Sequence, residues 1–189
     1  MLIAKKTYTY AEYTEIAARP ENAGRLLELI DGEIIEKVGS FIPSMIAGLI
    51  LAAFVNFLKT NPIGYVTGAD GGYVLDDENT PLPDVGYISK VRMPELPARE
   101  VPVPPDLAVE VKSANDSYKG LQRKARKYLK AGTRVVWIVY PEDRTVDVCQ
   151  PDENEPDGMR IREIGIDGTL DGGDVLPGFT LAVRDIFPA

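Results

Sequence analysis

Apolar and polar positions along the chain follow two periods, and the switches between them mark the elements. Residues 9–18 repeat apolar positions at helical spacing and predict a short amphipathic helix. Two apolar runs, 26–30 and 33–38, flank Asp31-Gly32, a dipeptide suited to a type I′ turn, and predict a hairpin. Residues 44–59 are apolar nearly all round, which predicts a helix buried in the molecule or in a subunit interface, stopped by Asn61-Pro62. That stretch is interrupted by Gly48 and Asn56 and reads as too short to cross a bilayer, so no membrane is expected as partner. Short strands are predicted at 65–67, 73–75 and 85–89, with an acidic loop at 76–79. A connector rich in proline (Pro94, Pro97, Pro102, Pro104, Pro105) leads to a strand at 107–111.

A helix over 117–130 follows, ended by Gly132 as a left-handed cap. The unbroken apolar run 135–140 predicts a central strand covered on both faces. Runs at 145–149 and 159–164 predict a second hairpin around an acidic loop, and Leu176-Pro177-Gly178-Phe179 opens the tail. Strand, helix and strand between 107 and 140 form a crossover unit, expected to be right-handed. The expected architecture is α/β: a mixed central sheet flanked by helices, with an N-terminal hairpin extension. With no internal repeat and no low-complexity linker, residues 1–189 read as a single domain.

Composition sharpens this picture at four points. The 189 residues are 44% hydrophobic and 26% charged, which is globular rather than disordered. There is no histidine, which excludes Ser-His-Asp and Cys-His catalysis and every histidine-ligated metal site. The single cysteine, Cys149, alternates with Val146 and Val148 in a strand-like run and reads as a packed thiol. It has no partner for an internal disulfide, and no signal peptide is read at the N-terminus, so a reducing cytoplasm is the expected location. The net charge is −8, from 21 Lys+Arg against 29 Asp+Glu, which taken uniformly would oppose nucleic acid. It is not uniform: residues 112–134 hold eight basic residues and one acid, a local +7 that leaves −15 for the rest.

The candidate chemistry lies beside that basic segment. On the strand at 107–111, Leu107, Val109 and Val111 share one apolar face, while Asp106, Ala108, Glu110 and Lys112 share the other. Such a Glu-x-Lys is ordinarily a salt-bridged sheet edge. Here Pro83-Asp84 opens another strand, and two carboxylates delivered from adjacent strand ends can share a divalent cation, with oxygen ligands suiting Mg²⁺ or Mn²⁺. Lys112 beside them would orient or deprotonate a water, or neutralise charge on a phosphate. On the following helix Leu121, Ala125, Tyr128 and Leu129 form an apolar arc, with Lys124 at its border. Lys119, Arg123, Arg126, Lys127 and Lys130 face the other way, as a solvated basic face or as a surface for DNA phosphates.

Pro83-Asp84 with Glu110-Val111-Lys112 resembles the PD…(D/E)xK signature of restriction-endonuclease-like nucleases. Further stretches resemble one bacterial family within it, named "putative restriction endonuclease" and long carried as a domain of unknown function. They are Glu28-Leu29-Ile30-Asp31-Gly32-Glu33, Leu82-Pro83-Asp84-Val85, 105–111, Lys124 with Tyr128, Ala131-Gly132, Trp137-Ile138-Val139 and Leu176-Pro177-Gly178-Phe179. The resemblance implies a restriction-endonuclease-like core and Mg²⁺-dependent cleavage of DNA. It implies Asp84 and Glu110 as metal ligands, the Val111 carbonyl as a third, Lys124 as the catalytic helix lysine beside Lys112, and Glu28 or Glu33 as the early acid near the metal, with Glu33 expected among the ligands. The chain departs from the family's pattern twice: Lys112 stands where many members carry an apolar residue, and a histidine usual near 40–44 is missing.

Two other classes remain beside the endonuclease. One is a catalytically inactive DNA-binding or protein-interaction module on the same fold, and the other is a small-molecule pocket using Asp84 and Glu110. The apolar helix at 44–59 points to a homodimer. Nothing in the sequence points to haem or a nucleotide cofactor.

Overall fold

A computed structural model describes residues 6–188. The single-domain expectation over 1–189 therefore extends at both ends beyond the described residues. In chain order the elements are α1 (Tyr10–Ala17), β1 (Leu27–Ile30), β2 (Glu33–Glu36), α2 (Phe41–Thr60), β3 (Gly64–Thr67), β4 (Val85–Ser89) and β5 (Leu107–Val111). Then come α3 (Tyr118–Lys130), β6 (Val135–Tyr140), β7 (Thr145–Pro151), β8 (Met159–Ile164), β9 (Thr169–Asp171) and β10 (Thr180–Ala182), with 3₁₀ turns at Pro20–Asn22 and Val183–Ile186.

The central sheet has six strands in the order β3-β4-β5-β6-β7-β8. Only β5 and β6 run parallel, the pair joined through α3; every other neighbour is antiparallel. The sheet is mixed, as the crossover between 107 and 140 predicts. Its two faces are separated by strand alternation. Val109, Val111, Val135, Trp137 and Val139 face α2 and the C-terminal segment, where Phe54, Trp137 and Phe179 pack ring against ring. Ala108, Val136, Ile138, Tyr140 and Cys149 face α3 through Leu121, Ala125, Tyr128 and Leu129. All six residues of β6 are buried, as a strand covered on both faces requires.

The N-terminal hairpin β1–β2 turns at Asp31 and Gly32, both at positive φ (52° and 70°), the pair a type I′ turn demands. It docks on the body through reciprocal backbone bonds between Leu29 and Thr80. That docking brings the β1 side chains to the ends of β4 and β5.

Three elements differ from their sequence expectation. α2 starts at Phe41 rather than near residue 44, because Pro43 is tolerated in a helix's first turn. At 20 residues α2 is long and apolar enough to cross a membrane by length and composition, yet Ile46, Ala47, Ile50 and Phe54 pack on the sheet. Residues 73–75 form no strand: their amides donate to Pro81, Val101 and Asn79, three separate partners rather than one ladder. The tail adds a small hairpin, β9–β10, on the α2 side.

Gly86 lies two residues past Asp84 and admits the buried ring of Tyr73. A Cβ there would stand 2.5 Å from the Tyr73 ring, which has no exposure and no room to yield. Gly86→Ala is expected to destabilise the fold by about 1–3 kcal/mol, read as a lower midpoint in urea unfolding.

Candidate active site

Asp84 is placed by the start of β4. Its amide donates to the Val109 carbonyl (2.9 Å), which lays β4 beside β5, and its Oδ2 accepts from the Val111 amide at 2.7 Å. Glu110 lies on the α3 face of β5 and is 4% exposed. The Tyr128 hydroxyl donates to Glu110 Oε1 at 2.8 Å, and Lys124 Nζ lies 3.0 Å from the same oxygen. Lys124 and Tyr128 are four residues apart on α3, so they stand one turn apart on the same face and grip one carboxylate together.

Lys124 Nζ also lies 2.8 Å from Glu28 Oε1, which in turn accepts from the Leu82 amide at 2.8 Å. Lys37, on the linker between β2 and α2, adds a second ammonium. Its Nζ is 2.8 Å from Asp84 Oδ1 and donates to the Leu82 carbonyl at 2.6 Å. Three carboxylates and two ammonium groups thus converge from β1, the β2–α2 linker, the start of β4, β5 and α3. They line a cleft of about 290 Å³ together with Val111.

Burial dominates the electrostatics. It pushes the Glu110 carboxyl up to about 7; Lys124 and Lys37 pull it back, while Asp84 and Glu28 push it further. Burial alone would lower the Lys124 ammonium, but Glu110 and Glu28 outweigh it and hold Lys124 above the usual lysine range. The Tyr128 hydroxyl is raised well above its ordinary value, by burial and then by Glu110, so it remains a donor.

The structure sorts the residues singled out from sequence. Asp84, Glu110, Val111 and Lys124 line one cleft. Lys112 is turned elsewhere: its Nζ lies 3.3 Å from Glu142 Oε2 and stands over the Tyr118 ring. Of the two early acids, Glu28 reaches Lys124, whereas Glu33 sits at the turn end of the hairpin opposite Ile30, away from the cleft lining. The expectation that placed Glu33 at the metal thus meets a different geometry, because the Leu29–Ile34 pair of the β1–β2 ladder stands between its own pair and that of Glu28. Lys119, Arg123, Arg126 and Lys130 are exposed on the outward side of α3, and Lys127 pairs with Asp31 of the hairpin. Lys37 was not singled out by the sequence patterns. The available signal was strand alternation, which puts Lys37 on the face of Ile35 and its partner Glu28.

The donor set fits a hard divalent ion such as Mg²⁺ or Mn²⁺. Among the described residues no three or more acids or cysteines gather as a full protein cage. Mg²⁺ needs none: it is commonly held by one or two carboxylates, with waters and substrate phosphate completing the shell. Asp84 and Glu110 supply that number of carboxylates at one cleft wall.

Residues 10–184 match the Uma2 family, described as "Putative restriction endonuclease". The fold is similar to the crystal structure of a putative nuclease belonging to DUF820 from Anabaena variabilis ATCC 29413, with a TM-score of 0.76 and 21% sequence identity, covering 95% of this chain and 97% of that one. No curated protein matches the sequence. With nearly the whole chain matched, the chain belongs to the Uma2 family, described as "Putative restriction endonuclease".

Proposed function

We propose that this protein is a divalent-metal-dependent DNA endonuclease working at the Asp84–Glu110 cleft, within one domain spanning 1–189. The observation that carries the reading is the convergence of Asp84, Glu110 and Lys124, from three separate elements, on one cleft. Asp84, Glu110 and the Val111 carbonyl would hold Mg²⁺ or Mn²⁺. A bound ion of this kind polarises a phosphoryl oxygen and makes its water a nucleophile near neutral pH.

The protein's own groups have separate tasks. Tyr128 and Lys124 fix the Glu110 carboxylate in one orientation. Lys124 also sets a positive charge beside the place where the phosphate gains negative charge. Glu28, held by the Leu82 amide, keeps Lys124 in place from the other side. Lys112, paired with Glu142, stands outside this group and contributes less than Lys124. The outward arc of Lys119, Arg123, Arg126 and Lys130, with Lys127 beside it, would add phosphate contacts along the duplex. The test is DNA nicking as a function of divalent ion, compared between wild type and Glu110→Gln. A variant that behaves like wild type, in a protein that still binds DNA, would support the inactive binding module instead.

The proposal includes a homodimer formed through α2. Its outward side is an uncharged stripe: Phe41 is 82% exposed, and Ile42, Leu49 and Val55 are exposed with it. Gly48 and Ala52 lie in the middle of that stripe. A two-fold axis between Gly48 and Leu49 would set Met45 over Ala52 of the partner subunit, and Leu49 over Gly48 of the partner subunit. Large side chains then meet small ones, a self-complementary fit that an isologous interface needs. Light scattering should give twice the chain mass for wild type and a monomer for Leu49→Glu. A wild type that is monomeric at micromolar concentration would contradict the dimer.

A further inference from the structure

We propose that Lys37 competes with the divalent ion for Asp84, is displaced when the ion binds, and then serves the DNA phosphate at the cleft. This rests on the nuclease reading above and deepens it. Asp84 has two oxygens. Oδ2 is committed to the Val111 amide, a bond within the β4–β5 framework that cannot move without disturbing the sheet. Oδ1 is therefore the oxygen that an incoming cation would take, and Lys37 Nζ stands 2.8 Å from it. An ammonium and a divalent ion on the same oxygen repel each other strongly at such separations.

The two lysines of the cleft differ in how firmly they are held. Lys124 is clasped between Glu28 and Glu110 on a helix packed against the sheet. Lys37 has one carboxylate and one carbonyl, and its side chain, 18% exposed, comes from the linker between β2 and α2. A flexible four-carbon stem lets its head swing without moving the backbone. Once off Asp84, the head remains tethered among the residues lining the cleft. There an anionic phosphate is its natural partner.

The proposal carries two effects of opposite sign on one side chain. In Lys37→Met and Lys37→Gln, Mn²⁺ should bind about tenfold or more tightly by titration calorimetry without DNA, because a like charge beside the ion is gone. At saturating Mn²⁺, plasmid nicking by the same variants should fall by about tenfold or more. A lysine that only supports the fold would instead weaken Mn²⁺ binding, nicking and the melting temperature together. If wild type binds Mn²⁺ and nicks DNA, an unchanged or weaker Mn²⁺ affinity in both variants overturns the role of Lys37 alone. If wild type neither binds Mn²⁺ nor nicks DNA, the nuclease reading falls first and this inference with it.

Discussion

Glu110→Gln should lower divalent-dependent DNA nicking by about 10³-fold or more while leaving the protein folded. Glutamine keeps the volume of the side chain and an oxygen able to accept from Tyr128 and Lys124, which hold Glu110 at 2.8 and 3.0 Å. It gives up the negative charge, and with it the ability to share a cation with Asp84. The loss of a charged partner for Lys124 should cost about 1–3 kcal/mol of stability, because Glu28 still pairs with that lysine. Nicking is measured as conversion of supercoiled plasmid, and folding by thermal melts followed by circular dichroism. A variant that nicks within a few-fold of wild type would remove Glu110 from the chemistry.

Lys124→Met acts on the same cluster in the opposite way and should be the more damaging change to the fold. It leaves two carboxylates, Glu28 and Glu110, enclosed without their shared ammonium. Removing one member of a buried ion pair typically costs about 3–5 kcal/mol. For a chain of this length that corresponds to a melting temperature lower by roughly 10 °C. The loss should depend on pH. Glu110 already has a folded value raised to about 7 from its ordinary value of 4.5, and Lys124 opposes that rise. Without Lys124 the folded value climbs further, so the native state takes up a proton that the unfolded chain does not hold. Stability then falls as pH rises from the unfolded value through the folded one, and recovers as pH is lowered. The gap between Lys124→Met and wild type should therefore be wider at pH 8 than at pH 6. Adding Glu110→Gln to Lys124→Met should recover part of the loss by removing one of the stranded charges. An equal loss at both pH values, with no recovery in the double variant, would contradict the cluster as described.

The central strands and the faces their side chains take were legible because their patterns are local. The alternation at 107–112 separates Glu110 from Val109 and Val111, and the structure puts those side chains on opposite faces. The unbroken run at 135–140 and the Asp31-Gly32 turn are equally local signals, and both match the elements found. Residues 73–75 misled because Tyr73-Val74-Leu75 has the composition of a strand, while its backbone partners are split between residues 79–81 and Val101. Lys112 shows the limit of the alternation rule. It keeps the parity of Glu110, but β5 ends at Val111, and beyond that point its side chain reaches Glu142 instead. Lys37 and the choice of Glu28 over Glu33 depend on how the hairpin docks, through contacts between residues as distant as Leu29 and Thr80. No single-segment pattern carries that information.

The most direct test is wild-type protein incubated with supercoiled plasmid across a titration of Mg²⁺ and Mn²⁺. The expected result is open-circular and linear DNA that appear with either ion and disappear on chelation. Plasmid that stays supercoiled at every ion concentration, with folded protein in the tube, would contradict it.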